Sequence, residues 1–345
     1  MGFTSILSFI LNTTIFELLI YWIIFAIAYK ALRKYLDSFV IDNLSRRPVF
    51  ITGCDTGFGR ALALKCLENG MPVFAGCLTE QGIKSLRAEA RNLKGTLDAL
   101  QVNVGNEESV ARAGKYLEEK VEKYGGLHAV VNNAGITGMH IADDFLSIDD
   151  YYKCCEINLF GVMRSTKHVL KLVKRAKGRV VTVASICARV GIPGLGPYTV
   201  SKYAVSGYCD VLRHEMRPFG VTVHILEPGF FKTPLVQREK LQKEFEEAFE
   251  NGPADIKAEY GEKYFQEISG TSHSLIDKFA SDNINLVVDA YFHAITSKYP
   301  KSRYQVGWDS VFVFIPFSYL PTGVQDAFFT IIGSFTPKPA ACAKN

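Results

Sequence analysis

Several chemical signatures are missing from the 345-residue chain, and each absence narrows its function. There is no HExxH motif, no Cys-x-x-Cys pair and no His/Cys cluster, so no metal is expected. No dense basic run occurs beyond Arg46–Arg47 and the net charge is only +4, which gives no reason to expect a nucleic-acid partner. Charged residues make up 21%, too few for a charged, disordered tail protein. The eight cysteines, at 54, 66, 77, 154, 155, 187, 209 and 342, follow no regular framework and are expected as free thiols in a reducing compartment. No internal repeat or low-complexity linker divides the chain. The start lacks the basic region and cleavage site of a signal peptide, and Ile6 stands where a myristoylation motif needs Ser or Thr.

Hydrophobic residues are abundant, at 48%, and two stretches are almost purely apolar. Residues 3–29 read FTSILSFILNTTIFELLIYWIIFAIAY. A membrane-spanning helix needs about 20 mostly apolar residues, and Ile15 to Leu32 nearly suffices. Lys30, Arg33, Lys34, Arg46 and Arg47 follow, and positive charge favours the cytoplasmic side. The expectation is a membrane anchor with basic flank at 1–34, in the endoplasmic reticulum membrane, and a cytosolic catalytic domain. A helix packed on the domain or lying in the interface is the alternative. The stretch VFVFIPFSYLPTGVQDAFFTIIGSF (311–335) is broken by Pro316, Pro321 and Asp326. It reads as a core strand plus helix, an apolar lid or a membrane-docking patch, within an extension at 311–345.

Between these ends, strand and helix patterns alternate. Short Val/Ile/Leu runs at 48–53, 72–78, 96–102, 127–135, 179–185, 221–229 and 303–308 suit strands buried on both faces. Segments 57–69, 80–91, 107–124, 149–175 and 199–217 carry helical spacing. Such alternation predicts an α/β fold, a doubly wound parallel sheet of Rossmann type, as one catalytic domain over 45–310. Residues 236–285 should cover the substrate, starting with an exposed amphipathic helix, QREKLQKEFEEAFE.

The first strand runs into TGCDTGFGRALALKCL (52–67), so Gly53, Gly57 and Gly59 follow a strand and open a helix. Glycine permits positive φ and close backbone approach, and a phosphate can sit on the free N–H groups of a helix start. Turn glycines are the bland alternative, weakened by the strand–loop–helix context. NNAG (132–135) ends another strand on the same crevice edge; alone it would read as a simple turn.

TGCDTGFG, NNAG, Ser185, YTVSK (198–202) and PGFFKT occur in the order and spacing of the short-chain dehydrogenases/reductases, with thirteen residues from Ser185 to Tyr198. The chain resembles that family strongly over 48–235, and most of all its branch of retinol dehydrogenases and microsomal 3- and 17-hydroxysteroid dehydrogenases. Tyr198 and Lys202 share a helix face, and a nearby ammonium lowers the pKa of a phenol that is otherwise a poor base. Tyr198 can then take the alcohol proton. A solvated helix face is the alternative for this pair, and the other motifs disfavour it.

The resemblance implies that Lys202 also bonds the cofactor ribose, that Ser185 holds the substrate oxygen with Tyr198, and that Asn158 of EINLFG supports a water-linked proton path. It places cofactor contacts at Thr52, Gly53, Gly57, Phe58 and Gly59, at Cys77 and Asn103, and at Asn132, Ala134 and Gly135. Further contacts fall on Pro228, Gly229 and Thr233, besides Tyr198 and Lys202. Two positions depart from the family pattern. Cys77 stands where many NAD-using members carry Asp, and no NADP-type arginine is present, so NAD is favoured over NADP. Asn103 replaces another frequent Asp, and its carbonyl can still accept from the adenine amine.

The implied activity is hydride transfer between the nicotinamide cofactor and the hydroxyl or ketone of an apolar lipid, a hydroxysteroid first and retinol second. A homodimer is implied by the resemblance alone. A catalytically silent dinucleotide sensor and a membrane scaffold are the rival classes; the presence of Ser185, Tyr198 and Lys202 argues against the sensor.

Overall fold

The computed structural model describes residues 15–234, 238–268 and 280–342. The chain falls into two compact units, one reaching to Asp42 and including Thr296–Pro300, the other Asn43–Ile295 with Lys301 onward. In the first, helix α1 (Ile15–Asp37) exposes Leu19, Trp22, Phe25 and Ile27. Val40 bridges to Ser297, and Phe39 packs edge-on against Tyr299. Among the described residues no helix is long and apolar enough to cross a membrane, so the spanning helix of the sequence reading is not seen. Residues 1–14 of that segment lie outside the described residues.

The second unit is built on one seven-stranded sheet. Its strands are β1 (Val49–Thr52), β2 (Val73–Cys77), β3 (Leu97–Gln101), β4 (Ala129–Asn132), β5 (Arg179–Val183), β6 (Thr222–Pro228) and β7 (Arg303–Val306). The order is β3-β2-β1-β4-β5-β6-β7 and every pairing is parallel. All seven fall inside the expected segments. The doubly wound order reverses between β1 and β4, which opens a crevice at their carboxyl ends.

Helices α2 (Gly57–Glu68), α3 (Glu80–Glu89), α4 (Glu107–Lys120), α5 (Ile148–Cys155), α6 (Gly161–Arg175) and α7 (Gly196–Met216) connect these strands. Helices α8 (Arg238–Glu250), α9 (Ala254–Tyr260) and α10 (Asn285–Thr296) precede β7. Strand side chains alternate between faces, and two cores result. Val49, Ile51, Val73, Ala75 and Val131 pack with Leu62, Cys66 and Leu67 of α2 and Val287, Val288 and Tyr291 of α10. Phe50, Phe74, Val130 and Val180 face the other way, onto Leu117 of α4, Leu172 of α6 and Val205 of α7. Each such buried side chain contributes roughly 1.5–3 kcal/mol from removal of its apolar surface from water. This two-sided burial is why the strands read as continuous apolar runs.

Residues of segment 236–285 form a smaller cluster, Phe245, Ala248 and Phe265 with Ile141 from the stretch after β4. Phe265 stacks on Phe245 and Phe249, at 4.1 and 3.9 Å between centroids. Residues 236, 237 and 269–279 of that segment lie outside the described residues. The expected core strand in 311–335 is corrected to a π turn (Ser310–Phe314) and helices α11 (Ile315–Ser318) and α12 (Thr322–Ser334). Proline at 316 and 321 stops a strand ladder there. Helix α12 buries no residue and exposes Val324, Phe328, Ile331 and Ile332.

At the amino edge of the sheet two histidines are buried. His128 Nε2 meets the Ile295 carbonyl at 2.8 Å, and His224 Nδ1 meets the Lys301 carbonyl at 2.7 Å. Burial pushes each down to about 4, and the nearby Arg179 adds to the effect. An unfolded histidine titrates near 6.5. Between pH 6.5 and about 4 the unfolded chain therefore binds more protons, and the stability present above pH 6.5 is lost as pH falls. Each imidazole contributes on the order of 3 kcal/mol at most. Thermal unfolding followed across that window should show the midpoint dropping, with a shallower drop for His224→Gln. An identical slope in the variant would contradict this.

Candidate active site

Thr52 ends β1, and its hydroxyl accepts hydrogen bonds from Asn133 N and Ala134 N, each at 3.1 Å. The Asn133 amide answers by donating to the Thr52 and Gly53 carbonyls at 3.0 and 3.1 Å. Tyr291 of α10 donates to Asn133 Oδ1 at 3.2 Å. The two loops meet so closely that a Cβ on Gly53 would lie 2.8 Å from Ala134 Cα, and one on Gly59 would collide with the Asn133 amide. Gly53 also needs its φ of +71°. Thr56 precedes α2 without a side-chain cap, so the first-turn N–H groups of α2 are left open. Open donors at a helix start, reached through a loop too tight for side chains, fit a pyrophosphate.

At the end of β2 the expected contact differs in detail. The Cys77 side chain lies in the apolar core, where burial pushes its thiol up to about 11. Asp55, which sequence reasoning passed over, occupies the edge. Its carboxylate accepts from Leu78 N at 2.7 Å and Thr79 N at 3.0 Å. Beyond β3, Asn103 Oδ1 accepts from Gly105 N at 3.0 Å. Asn132 points under the crevice instead, donating to Thr166 and Thr182 hydroxyls.

Helices α5 and α6 form one run, interrupted by a π turn over Glu156–Phe160. Asn158 sits in that turn, fully buried. Its Oδ1 accepts from Ile136 N at 2.9 Å, and its Nδ2 donates to Ile136 O at 2.8 Å and to Ser201 Oγ at 3.0 Å. A π turn widens the helix locally and rotates one side chain out of register. Here it aims the amide at the loop beyond Gly135 and at α7.

Ser185 follows β5 and Tyr198 and Lys202 lie on α7, where Pro197 near the helix start fixes the entry. The Ser185 hydroxyl accepts from Cys187 N at 3.2 Å and lies beside the Tyr198 phenol. Lys202 is buried, donates to the Val183 carbonyl at 3.1 Å, and lies 5.4 Å from the Tyr198 ring centroid. Burial of the phenol pushes Tyr198 above its usual range, Cys187 adds to the rise, and the Ser185 hydroxyl opposes it. Burial also lowers Lys202 to about 8. The ammonium thus lies over the ring, and burial outweighs the lowering expected from one-turn spacing. In this state Tyr198 is a protonated phenol, an acid beside an open crevice.

Beyond β6, Gly229 N donates to Val306 O at 2.8 Å. The Asp309 carboxylate fills the space where a Gly229 side chain would stand and accepts from Phe230 N at 2.7 Å. A Cβ on Gly57 would approach Thr233 to 4.0 Å, and Phe58 packs edge-on against Phe231 at 5.8 Å. The loop from Pro228 to Thr233 therefore meets the glycine loop. The crevice gathers the Thr52–Gly59 loop, Ala134, Gly135, Asn158, Ser185, Tyr198, Lys202 and the Pro228–Thr233 loop, while the side chains of Cys77 and Asn132 lie behind it. Tyr291, Asp309 and Glu227 were missed because each acts from far along the chain; only the buried EPG context of Glu227 could have flagged one of them.

A parallel sheet with an open phosphate cradle and a hydroxyl, phenol and ammonium at its carboxyl edge defines a dinucleotide-dependent oxidoreductase. The family described as short chain dehydrogenase matches residues 47–244. The 3beta-hydroxysteroid dehydrogenase dhs-16 of Caenorhabditis elegans is 40% identical over 89% of this chain and 80% of its own. Human retinol dehydrogenase 16 is 37% identical over 93% of this chain and 98% of its own. A solved short-chain dehydrogenase from Streptomyces avermitilis shares the fold, with a TM-score of 0.62 at 23% identity, over 84% of this chain and 95% of that one. This chain belongs to the short-chain dehydrogenase family, whose members are oxidoreductases using nicotinamide cofactors.

Lys202 has no carboxylate partner among the described residues, so its burial opposes folding of the cofactor-free protein. Lys202→Met should raise the unfolding midpoint of that protein by roughly 2–8 °C, about 1–2 kcal/mol, while activity is lost. Calorimetry without cofactor checks this, and a lowered midpoint would contradict it.

Proposed function

We propose that this protein transfers hydride between a nicotinamide dinucleotide and the hydroxyl or ketone of an apolar lipid, a hydroxysteroid in the first reading. The observation that carries it is the gathering of Asn158, Tyr198 and Lys202 at the open end of the dinucleotide crevice, with Lys202 over the Tyr198 ring and bonded to Val183 O at the end of β5, two residues before Ser185. Ser185 holds the substrate oxygen, and Tyr198 gives or takes the proton at that oxygen. The oxidised cofactor supplies the hydride acceptor and a positive charge. Added positive charge near a buried phenol favours the phenolate, which is what oxidation needs. Asn158 holds the loop after Gly135 and supports proton exchange with solvent.

An apolar substrate fits the aromatic cover, where Phe245, Phe249 and Phe265 stack. The similarity to a hydroxysteroid dehydrogenase supports the first reading, and the similarity to human retinol dehydrogenase 16 supports retinol as the second. For the cofactor, NAD is the reading. No arginine directly follows Cys77 in the chain, Arg60 and Arg87 nearby are engaged by Glu89, Ser85 and the Ala99 carbonyl, and the Asp55 carboxylate at the end of β2 would repel a 2′-phosphate. Contacts from the residues named in the sequence reading would hold it.

Residues 1–34 are read as a membrane anchor, with the catalytic unit on the cytosolic side of the endoplasmic reticulum. The apolar surface of α1 and the exposed stripe of Val324, Phe328 and Ile331 on α12 support lipid as a neighbour. In sealed microsomes, added protease should digest the catalytic unit, and full protection would reverse the orientation.

Tyr198→Phe removes one oxygen and keeps the packing. The fold and cofactor binding should survive while kcat falls by roughly 10²–10⁴, measured with 3- and 17-hydroxysteroids and all-trans-retinol. A variant as active as wild type would remove Tyr198 from the chemistry. NAD should give the higher kcat/KM, and Leu78→Arg should narrow its lead, because a guanidinium there meets a 2′-phosphate. A wild-type preference for NADP would overturn the cofactor reading.

A further inference from the structure

Glu227 is fully buried at the carboxyl end of β6, and the chemistry above gives it no task. Its Oε1 accepts from Arg189 Nε at 2.7 Å and from Arg303 Nη1 at 2.6 Å. Its Oε2 has no protein partner among the described residues. Arg303 also donates to Ser206 at 3.1 Å and pairs with Asp210, both on α7. Arg189 directly follows the 3-10 turn Ile186–Ala188, four residues after Ser185. One carboxylate therefore joins the loop that carries Ser185 to the strand β6 and, through Arg303, to the helix that carries Tyr198 and Lys202.

Beyond its first turn that loop is held by the buried Val190, by the Leu195 N bond to Ile192 O and by Gly196 against Tyr151, and its middle is open. Residues 190–197 read VGIPGLGP, and side chains at Gly191 and Gly194 would meet nothing within 4 Å. Arg303 is already close enough to neutralise Glu227. Arg303 is shared with Asp210, and the second arginine adds a bond that ties the loop to the buried carboxylate. Buried ion pairs are weak sources of stability, and selecting one geometry is their better-attested use.

We propose that Glu227, acting through Arg189, is a positioning residue that holds the 185–197 loop so that the Ser185 hydroxyl meets Tyr198. The inference rests on the acid/base reading of Tyr198. Small misplacements of a reacting group have large effects on rate. Loosening the tether also moves the Ser185 hydroxyl, which opposes the raised pKa of Tyr198, away from the phenol. The other groups facing that phenol are Cys187 of the loop, Cys154 of α5, Lys202 of its own helix and Tyr291 of α10. All four side chains are unchanged by a substitution at Arg189.

Arg189→Gln leaves Arg303 on Glu227 and is the variant to make, since Glu227→Gln would strand two arginines together. The full-length enzyme should lose about tenfold in kcat/KM for hydroxysteroid oxidation with NAD. The rising limb of its pH profile should move to higher pH, while the Kd for NAD stays within about twofold. Arg189→Lys should recover part of both effects. Rates and pH profile identical to wild type would overturn the tether. So would a loss of thermal stability and NAD affinity with the limb unmoved, which marks a merely structural pair. If Tyr198→Phe is inactive while Arg189→Gln behaves as wild type, only the tether fails; an active Tyr198→Phe removes the reading beneath it.

Discussion

The Thr52 hydroxyl is the point on which the crevice depends. It accepts from two successive backbone N–H groups of the loop after β4, and the Asn133 amide returns two bonds to the loop after β1. These strands are neighbours at the place where the sheet order reverses. A parallel sheet ends there in two loops that diverge, and the diverging loops leave unpaired backbone groups. Pairing them with each other closes the floor of the crevice and leaves only the start of α2 open. The lack of a Cβ at Gly53 and Gly59 is what lets the loops approach.

From that floor the rest of the site is assembled by burial of polar groups with assigned partners. Asn158 satisfies both backbone groups of Ile136, Asp309 takes Phe230 N, and Glu227 holds two arginines. Lys202 is the group with least compensation, a buried ammonium on a carbonyl and an aromatic face. Stability is given up at that residue, which keeps a charge in the crevice beside the Tyr198 phenol. Asp309, Arg303 and Tyr291 lie beyond residues 47–244, so the C-terminal part of the chain completes a site whose motifs are all upstream.

The central strands β1, β2 and β4 were legible because each is buried along its whole length and reads as an apolar run, whereas the edge strands β3 and β7 mix buried and open positions and carry Asp98, Gln101 and Gln305. The glycine loop, Ser185, Tyr198 and Lys202 were legible from spacing, since each motif is local. Pairings across long separations were not. Asp309 and Phe230 are 79 residues apart, and nothing near either announces the other. The π turn at Asn158 left no mark on a helical pattern that runs through it. Cys77 was read as an edge contact, whereas strand alternation turns its side chain into the core. In 311–335 the apolarity was read as a core strand plus helix, a lid or a membrane-docking patch; the helix is there, and a π turn and a short helix take the place of the strand.

The central claim is that this crevice moves hydride from a lipid alcohol to a nicotinamide. The direct measurement is a single-turnover reaction of the full-length protein in detergent, with NAD and a 3-hydroxysteroid carrying deuterium on the carbinol carbon. The account predicts that the deuterium appears on the nicotinamide ring, one per ketone formed, with a primary isotope effect on the appearance of reduced cofactor. Ketone formation with the label released to water, or no reduced cofactor from hydroxysteroid or retinol alike, would contradict it.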